Sequence, residues 1–336
     1  MIQPANIPER RGVERSVFHD EIVPAAQPVV LRGLVADWPV VAAARQSNEA
    51  AAAYIKAMDL KEPAVLLSGD PSIKGRFFFG DDFSQLNFKR LRATISQGLD
   101  LILARAGDAD PPALAIQSRS VAAHLQGFAQ ANAVPLLGPE VDARIWIGNA
   151  ITVAAHYDVF DNIGCVVAGR RRFTLFPPEQ VANLYVGPLE YTLSGVPVSL
   201  PSLTEPDFEA FPKLKTALAA AQTAELEPGD AIYIPYLWWH HVESLERFNV
   251  LVNYWWTDSK VGYTQPFDSM LHAILALRDL PQAHRAAWRS LFEHYVFGAP
   301  GEAGAHLRPE DRGMLGPITP EIARAMMAAL VRGLGG

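Results

Sequence analysis

Between Arg144 and Trp256 short apolar runs bounded by Gly, Pro and Asn replace the helical periodicity found on either side. The pattern predicts strands over 144–148, 151–158, 162–168, 171–176, 231–235, 240–244 and 248–256. Strands this short and this closely spaced form a sandwich or a barrel. A stretch from Glu179 to Leu226 interrupts them, and its proline-rich middle, GVPVSLPSLTEPDFEAFP, reads as an ordered irregular loop. Loops of that length in compact domains are usually functional. Upstream, PVVLRGLV at 28–35 is a β-branched run that turns into a helix at Asp37-Trp38-Pro39. Alanine-rich Val40 to Met58 favours helix by propensity, Ala64 to Phe88 reads as strands and turns, and a further helix is expected from Phe88 to Ala104.

After Trp256 a period near 3.6 returns, with Phe267, Met270, Leu271, Ile274 and Leu275 on one stripe and Trp288, Leu291, Phe292, Tyr295 and Val296 on another. A last helix is expected at Thr319-Pro320, where Thr can cap and Pro suits the first turn. The expected organisation is a catalytic domain over 1–256 and a helical region over 257–336, whose apolar faces either cover the barrel or pair two subunits into a homodimer.

The bulk numbers narrow the class. With 336 residues, 49% hydrophobic and 19% charged, the chain can bury a sizeable core. Its 29 basic and 36 acidic residues leave a formal charge of −7 with no cationic stretch, so nucleic acid is not an expected direct ligand. Cys165 is the single cysteine, which excludes an internal disulfide and a cysteine-rich metal site and marks it as core. No window has the length of apolar residues that a membrane span needs, and the N-terminus lacks the uninterrupted apolar region of a signal peptide. A cytoplasmic protein is expected.

The candidate chemistry lies in two of the expected strands. In ITVAAHYDVF, His156 and Asp158 are two apart on a strand, so both side chains leave the same face. Later, in ELEPGDAIYIPYLWWHHVESL, a Pro228-Gly229-Asp230 turn leads into a buried strand and then to His240 and His241. Two histidines and a carboxylate on adjacent strands make the facial arrangement of non-haem Fe(II) oxygenases, with three coordination positions left open. A closed tetrahedral zinc site has no such room. Periodicity does not decide between His240 and His241, since neighbouring strand residues point to opposite faces.

These segments, with GRRRFTLFPP at 169–178 and VNYWW at 252–256, together resemble the JmjC-type, cupin-like Fe(II)/2-oxoglutarate oxygenases, in the style of the asparaginyl hydroxylase that acts on hypoxia-inducible factor. The resemblance runs from about Arg144 to Trp256 and more loosely through PVVLRGLVADWP. It implies a mainly β protein with flanking α elements: a double-stranded β-helix, or cupin jelly roll, with N-terminal α/β elements and C-terminal helices. It also implies Fe(II) held by His156, Asp158 and His240, with His241 behind the sheet. The basic residue fifteen positions after the first ligand is Arg171, the clamp for 2-oxoglutarate, while Arg170 and Arg172 face away; Asn162 and Asn253 match the family's asparagines near the cosubstrate and metal. Two departures stand out. The family's cosubstrate-holding threonine and tyrosine fall on Val153 and Ala115, which leaves Thr152 as a possible aid to Arg171. The residues that grip the target amide fall near Pro197 and Val198, neither of them polar, so asparagine hydroxylation does not follow.

The function implied is hydroxylation of a protein or peptide side chain using 2-oxoglutarate and dioxygen. Oxidation of a small metabolite by the same chemistry is one alternative. A metal-binding cupin without redox turnover is another.

Overall fold

The computed structural model describes residues 3–193, 195–257 and 263–334. The chain divides into two compact units, 1–257 and 258–336. All the named strands belong to the first: β1 (Ala5–Asn6), β2 (Glu9–Arg11), β3 (Val29–Arg32), β4 (Ala64–Gly69), β5 (Phe88–Ala93), β6 (Ala113–Ser120), β7 (Ala143–Gly148), β8 (Thr152–His156), β9 (Asp161–Ala168), β10 (Arg171–Phe176), β11 (Gln222–Leu226), β12 (Ala231–Ile234), β13 (Trp239–Ser244) and β14 (Asn249–Trp256).

They form two open sheets, a five-stranded one in the order β1-β11-β10-β13-β8 and a nine-stranded one in the order β2-β3-β12-β9-β14-β7-β6-β4-β5. Both are mixed, because β1 runs parallel to β11 and β2 parallel to β3 while the other pairs are antiparallel. The fold is therefore mainly β and cupin-like, without a closed barrel.

Strand alternation explains how the sheets pack. Along β10, Phe173 and Leu175 point inward to join Val242 from β13 and Leu226 from β11. From the larger sheet they meet Val166, Ile232 and Leu251. Each such side chain, removed from water, stabilises the sandwich by about 1.5–3 kcal/mol. The larger sheet buries its other face as well: Ile145, Ile147, Cys165 and Val250 pack against Val40 and Val41 of the helix Pro39–Gln46, Ala51 and Ile55 of Asn48–Met58, and Leu99 and Ile102 of Ile95–Ala104. Two-sided burial is why β9 reads as a continuous apolar run. Burial also pushes the Cys165 thiol well above its usual range, as befits an inert core residue.

Two expectations are corrected. Residues 88–104 are not one helix: Phe88–Ala93 is edge strand β5, and the helix begins only at Ile95, capped by Thr94, whose Oγ1 accepts from Gln97 N at 3.2 Å. The helix expected over 40–58 breaks at Ser47, which is fully extended (φ −169°) and caps the second half by accepting from Ala50 N at 3.1 Å. The proline-rich middle of the 179–226 insertion, 195–212, is irregular as expected; after it the insertion carries the helix Leu214–Ala219 and ends in β11, which pairs with β10.

Gly169 makes the turn that delivers Arg171. Its φ is +71°, and a Cβ there would lie 2.5 Å from the Phe248 carbonyl oxygen and closer still to Asn249 Oδ1. Gly169→Ala therefore combines backbone strain with a clash against main chain that cannot swing away, and should cost about 2–4 kcal/mol of stability. Urea denaturation checks this; a loss under about 1 kcal/mol would mean that the turn relaxes freely.

The second unit contains the helices Pro266–Leu277, Gln282–Tyr295 and Pro320–Leu334. The last is capped by Thr319, whose Oγ1 accepts from Ile322 N at 3.3 Å. No helix among the described residues is long and apolar enough to cross a membrane.

Candidate metal centre

β8 and β13 run antiparallel with His156 directly opposite His240, and Asp158 follows two residues beyond His156 in the turn toward β9. The two imidazole centroids are 4.2 Å apart, and His240 Nε2 lies 3.5 Å from Asp158 Oδ2. One donor atom from each of the three residues falls within 4.8 Å of the others, the spacing needed to share a cation.

The backbone aims the donors. His156 Nδ1 lies 2.9 Å from the Ala154 carbonyl oxygen and His240 Nδ1 lies 3.1 Å from that of Trp238. Each Nδ1–H therefore donates to its own strand, which leaves Nε2 of both rings with a free lone pair. Burial, reinforced by the neighbouring His156 and opposed by Asp158, lowers the His240 pKa to about 4. The ring is neutral at physiological pH, the form a metal requires. Asp158 Oδ2 accepts from Trp255 Nε1 at 3.1 Å, which fixes the carboxylate against the cavity wall.

The triad shares a cavity with Arg171, Asn162, Asn253, Gln117, Trp146 and Trp255. Arg171 points inward from β10 and is only 4% exposed. Its Nε has no hydrogen-bond partner, and among the described residues no carboxylate pairs with the guanidinium. Burial lowers its pKa to about 10, so it stays charged at neutral pH. A buried, unpaired charge costs several kcal/mol, and that cost is relieved by an anion entering beside it. Asn162 and Asn253 form a short polar chain: Trp146 Nε1 donates to Asn253 Oδ1 at 2.6 Å, and Asn253 Nδ2 donates to Asn162 Oδ1 at 3.0 Å.

Thr152 is not brought into this cavity. Pairing runs His240 to His156 but Val242 to Val153, so β8 carries one extra residue at a bulge. The bulge turns Val153 inward and leaves Thr152 opposite Glu243, in a neighbouring cleft with Leu67, Phe77 and Leu193. Ala115 is fully buried among apolar neighbours. Two residues along β6, Gln117 supplies the polar group that lines the cavity instead. Sequence reasoning passed over Gln117; the strand period from Ala115 was the signal that could have found it. Val198 bridges to His156 as an extra edge partner and packs against Phe79 and Ala154.

Opposite faces of the small sheet separate the two histidines. His241 lines a cleft on the far side with Arg172, Thr174, Thr223, Glu225 and Glu243. Burial, helped by nearby cationic groups, lowers its pKa to about 3. Arg172 also faces that side, with Nη2 2.6 Å from Glu225, and Arg170 pairs with Glu246 at 2.8 Å.

Residues 14–261 match the cupin-like domain family. Over 153 residues the chain is 33% identical to human HSPB1-associated protein 1, covering 43% of this chain and 30% of that protein. It is 35% identical over 114 residues to lysine-specific demethylase JMJ31 of Arabidopsis thaliana, covering 34% of this chain and 20% of the other. It is 40% identical over 101 residues to tRNA wybutosine-synthesizing protein 5 of Gallus gallus, covering 30% and 29%. The chain thus spans between a fifth and a third of the length of these relatives.

Proposed function

The chain belongs to the cupin-like domain family, and on that premise we propose that it is an Fe(II)- and 2-oxoglutarate-dependent oxygenase. The observation that carries this reading is the buried guanidinium of Arg171, its Nε without a hydrogen-bond partner among the described residues, in the same cavity as a three-donor triad. A cation site alone explains the triad; it does not explain an inward-facing positive charge beside it.

In this reading His156 and His240 hold the iron through Nε2 and Asp158 through its carboxylate. Two imidazoles and one carboxylate suit Fe(II) and leave part of its sphere for other ligands. The Trp255 N–H keeps one Asp158 oxygen in place. Arg171 grips the remote carboxylate of 2-oxoglutarate with its planar fork, a geometry that lysine would not offer. The Asn162–Asn253 chain presents polar groups to the cosubstrate. When bound, iron supplies the activation of dioxygen that couples conversion of 2-oxoglutarate to succinate and carbon dioxide with oxidation of a substrate C–H bond. Trp146, Phe173 and Leu251 wall the cavity and keep water from the reacting centre.

Hydroxylation of a protein or peptide side chain is the favoured reaction. One relative is named a lysine-specific demethylase, a name that supports an amino-acid side chain as the substrate. Another is named for tRNA, but a chain of net charge −7 is poorly suited to a polyphosphate backbone.

The test is succinate formation by the purified protein under air. Turnover that needs both Fe(II) and 2-oxoglutarate is expected. Tight metal binding without any consumption of 2-oxoglutarate would replace the oxygenase with a non-redox cupin.

A further inference from the structure

Arg119 and Arg144 each contact a residue of the cavity wall, Gln117 and Trp255 respectively, and among the described residues neither has an acidic partner. The β6–β7 pairing slips between Ile116 and Arg119, where Ser118 takes a left-handed conformation (φ 51°). That kink offers the Ser118 carbonyl and hydroxyl oxygens to Arg144 Nη1, at 3.2 and 3.3 Å. So held, the Arg144 guanidinium carbon lies 5.6 Å from the centre of the Trp255 ring, the same indole whose N–H bonds Asp158. Arg119 Nε donates to the carbonyl oxygen of Gln117, a cavity residue, at 3.0 Å. Among the described residues neither arginine forms an ion pair, and nearby Asp142 bonds the Ser120 hydroxyl at 3.3 Å instead. Burial and the adjacent Arg144 both disfavour the charge on Arg119.

Two half-buried like charges held close together, in a chain that is acidic overall, form a local concentration of positive potential behind the Gln117 and Trp255 wall of one cavity. An arriving anion relieves both the desolvation and the mutual repulsion. On the other side Phe160, 38% exposed, stacks against Trp255 with centroids 6.3 Å apart and an interplanar angle of 26°. Trp255 thus meets an aromatic ring in Phe160 and a cation in Arg144.

We infer that Arg119 and Arg144 form a substrate-selecting anion site, distinct from Arg171, which admits substrates carrying a carboxylate next to the position to be oxidised, chiefly acidic peptide segments. This rests on the oxygenase reading above and gives its substrate a charge. Inside the cavity one arginine then serves the cosubstrate, and behind its wall two serve the substrate.

The experiment supplies the full chain, with Fe(II) and 2-oxoglutarate, with degenerate decapeptide libraries holding a fixed pair of Glu, Gln or Lys, with a pool of free dicarboxylic acids, and with an RNA decamer. Succinate is the readout. Stimulation by the Glu library about tenfold above the Gln library is expected, the worth of one charge-assisted contact. That ratio should fall toward one in Arg144→Gln and Arg119→Gln, and Arg144→Glu should shift the preference toward the Lys library. Stimulation by the free dicarboxylic acids alone upholds the anion site and makes the substrate a small acid. Equal stimulation by Glu and Gln, a ratio unmoved in both variants, a stronger response to RNA, or no response to peptides and dicarboxylic acids together with no Glu preference in binding overturns the proposal. A parallel anisotropy measurement with labelled Glu and Gln peptides separates the two claims. Glu preference without succinate upholds the anion site and sinks the oxygenase; succinate without Glu preference does the reverse.

Discussion

Arg171→Met should raise the stability of the unliganded protein by about 1–4 kcal/mol while raising the 2-oxoglutarate requirement at least about a hundredfold. Both halves come from one observation, a guanidinium 4% exposed with an orphaned Nε and, among the described residues, no carboxylate paired with it. Methionine is shorter but of similar volume, carries no charge and adapts to irregular space, so the desolvation penalty disappears without leaving a large hole. The lost function is the two-pronged grip on a carboxylate, whose charge-assisted hydrogen bonds have no substitute in a thioether. Urea midpoints and initial-rate titrations of 2-oxoglutarate measure the two quantities. A destabilised variant would mean that Arg171 already has its compensation in the folded chain. Adding 2-oxoglutarate should narrow the stability gap by stabilising the wild type alone, through ordinary ligand linkage.

The second large effect separates two adjacent histidines. His240→Ala removes one of three donors and should weaken Fe(II) binding by well over a hundredfold, beyond the ten- to hundredfold typical of outer-shell partners. His241→Ala should leave metal affinity within about threefold, because His241 lies in the far-side cleft with Arg172 and Glu243. Anaerobic titration after chelation is the proper measurement, since nickel or zinc acquired during purification would outcompete iron. Metal loss in the His241 variant with retention in the His240 variant would overturn the assignment.

The strand pattern from Arg144 to Trp256 was legible in the sequence because alternation and turn residues agree there: β7, β8, β9, β10, β12, β13 and β14 all fall within the expected segments, give or take a terminal residue or two. β11 was not, because Gln222–Leu226 carries no apolar run and owes its place to pairing with β10. β5 was misread for a related reason. FKRLRA is largely exposed at a sheet edge, so tertiary pairing rather than burial makes it a strand. At the site, spacing alone put His156 beside Asp158, and resemblance was needed to prefer His240. Thr152 was misplaced because one bulge inverts everything upstream of it on β8, and a bulge has no signature in composition.

The doubled histidine in β13 has a consequence for how this strand finds its alignment. A slip of one position would still offer an imidazole to the ion, so iron cannot proofread the pairing of β13 with β8. Discrimination must come from apolar neighbours: the true alignment puts Val242 into the sandwich and Trp239 against Phe176 and Leu214, and the slipped one would force Glu243 into oil. Folding of this strand should then be as accurate in metal-starved cells as in iron-replete ones.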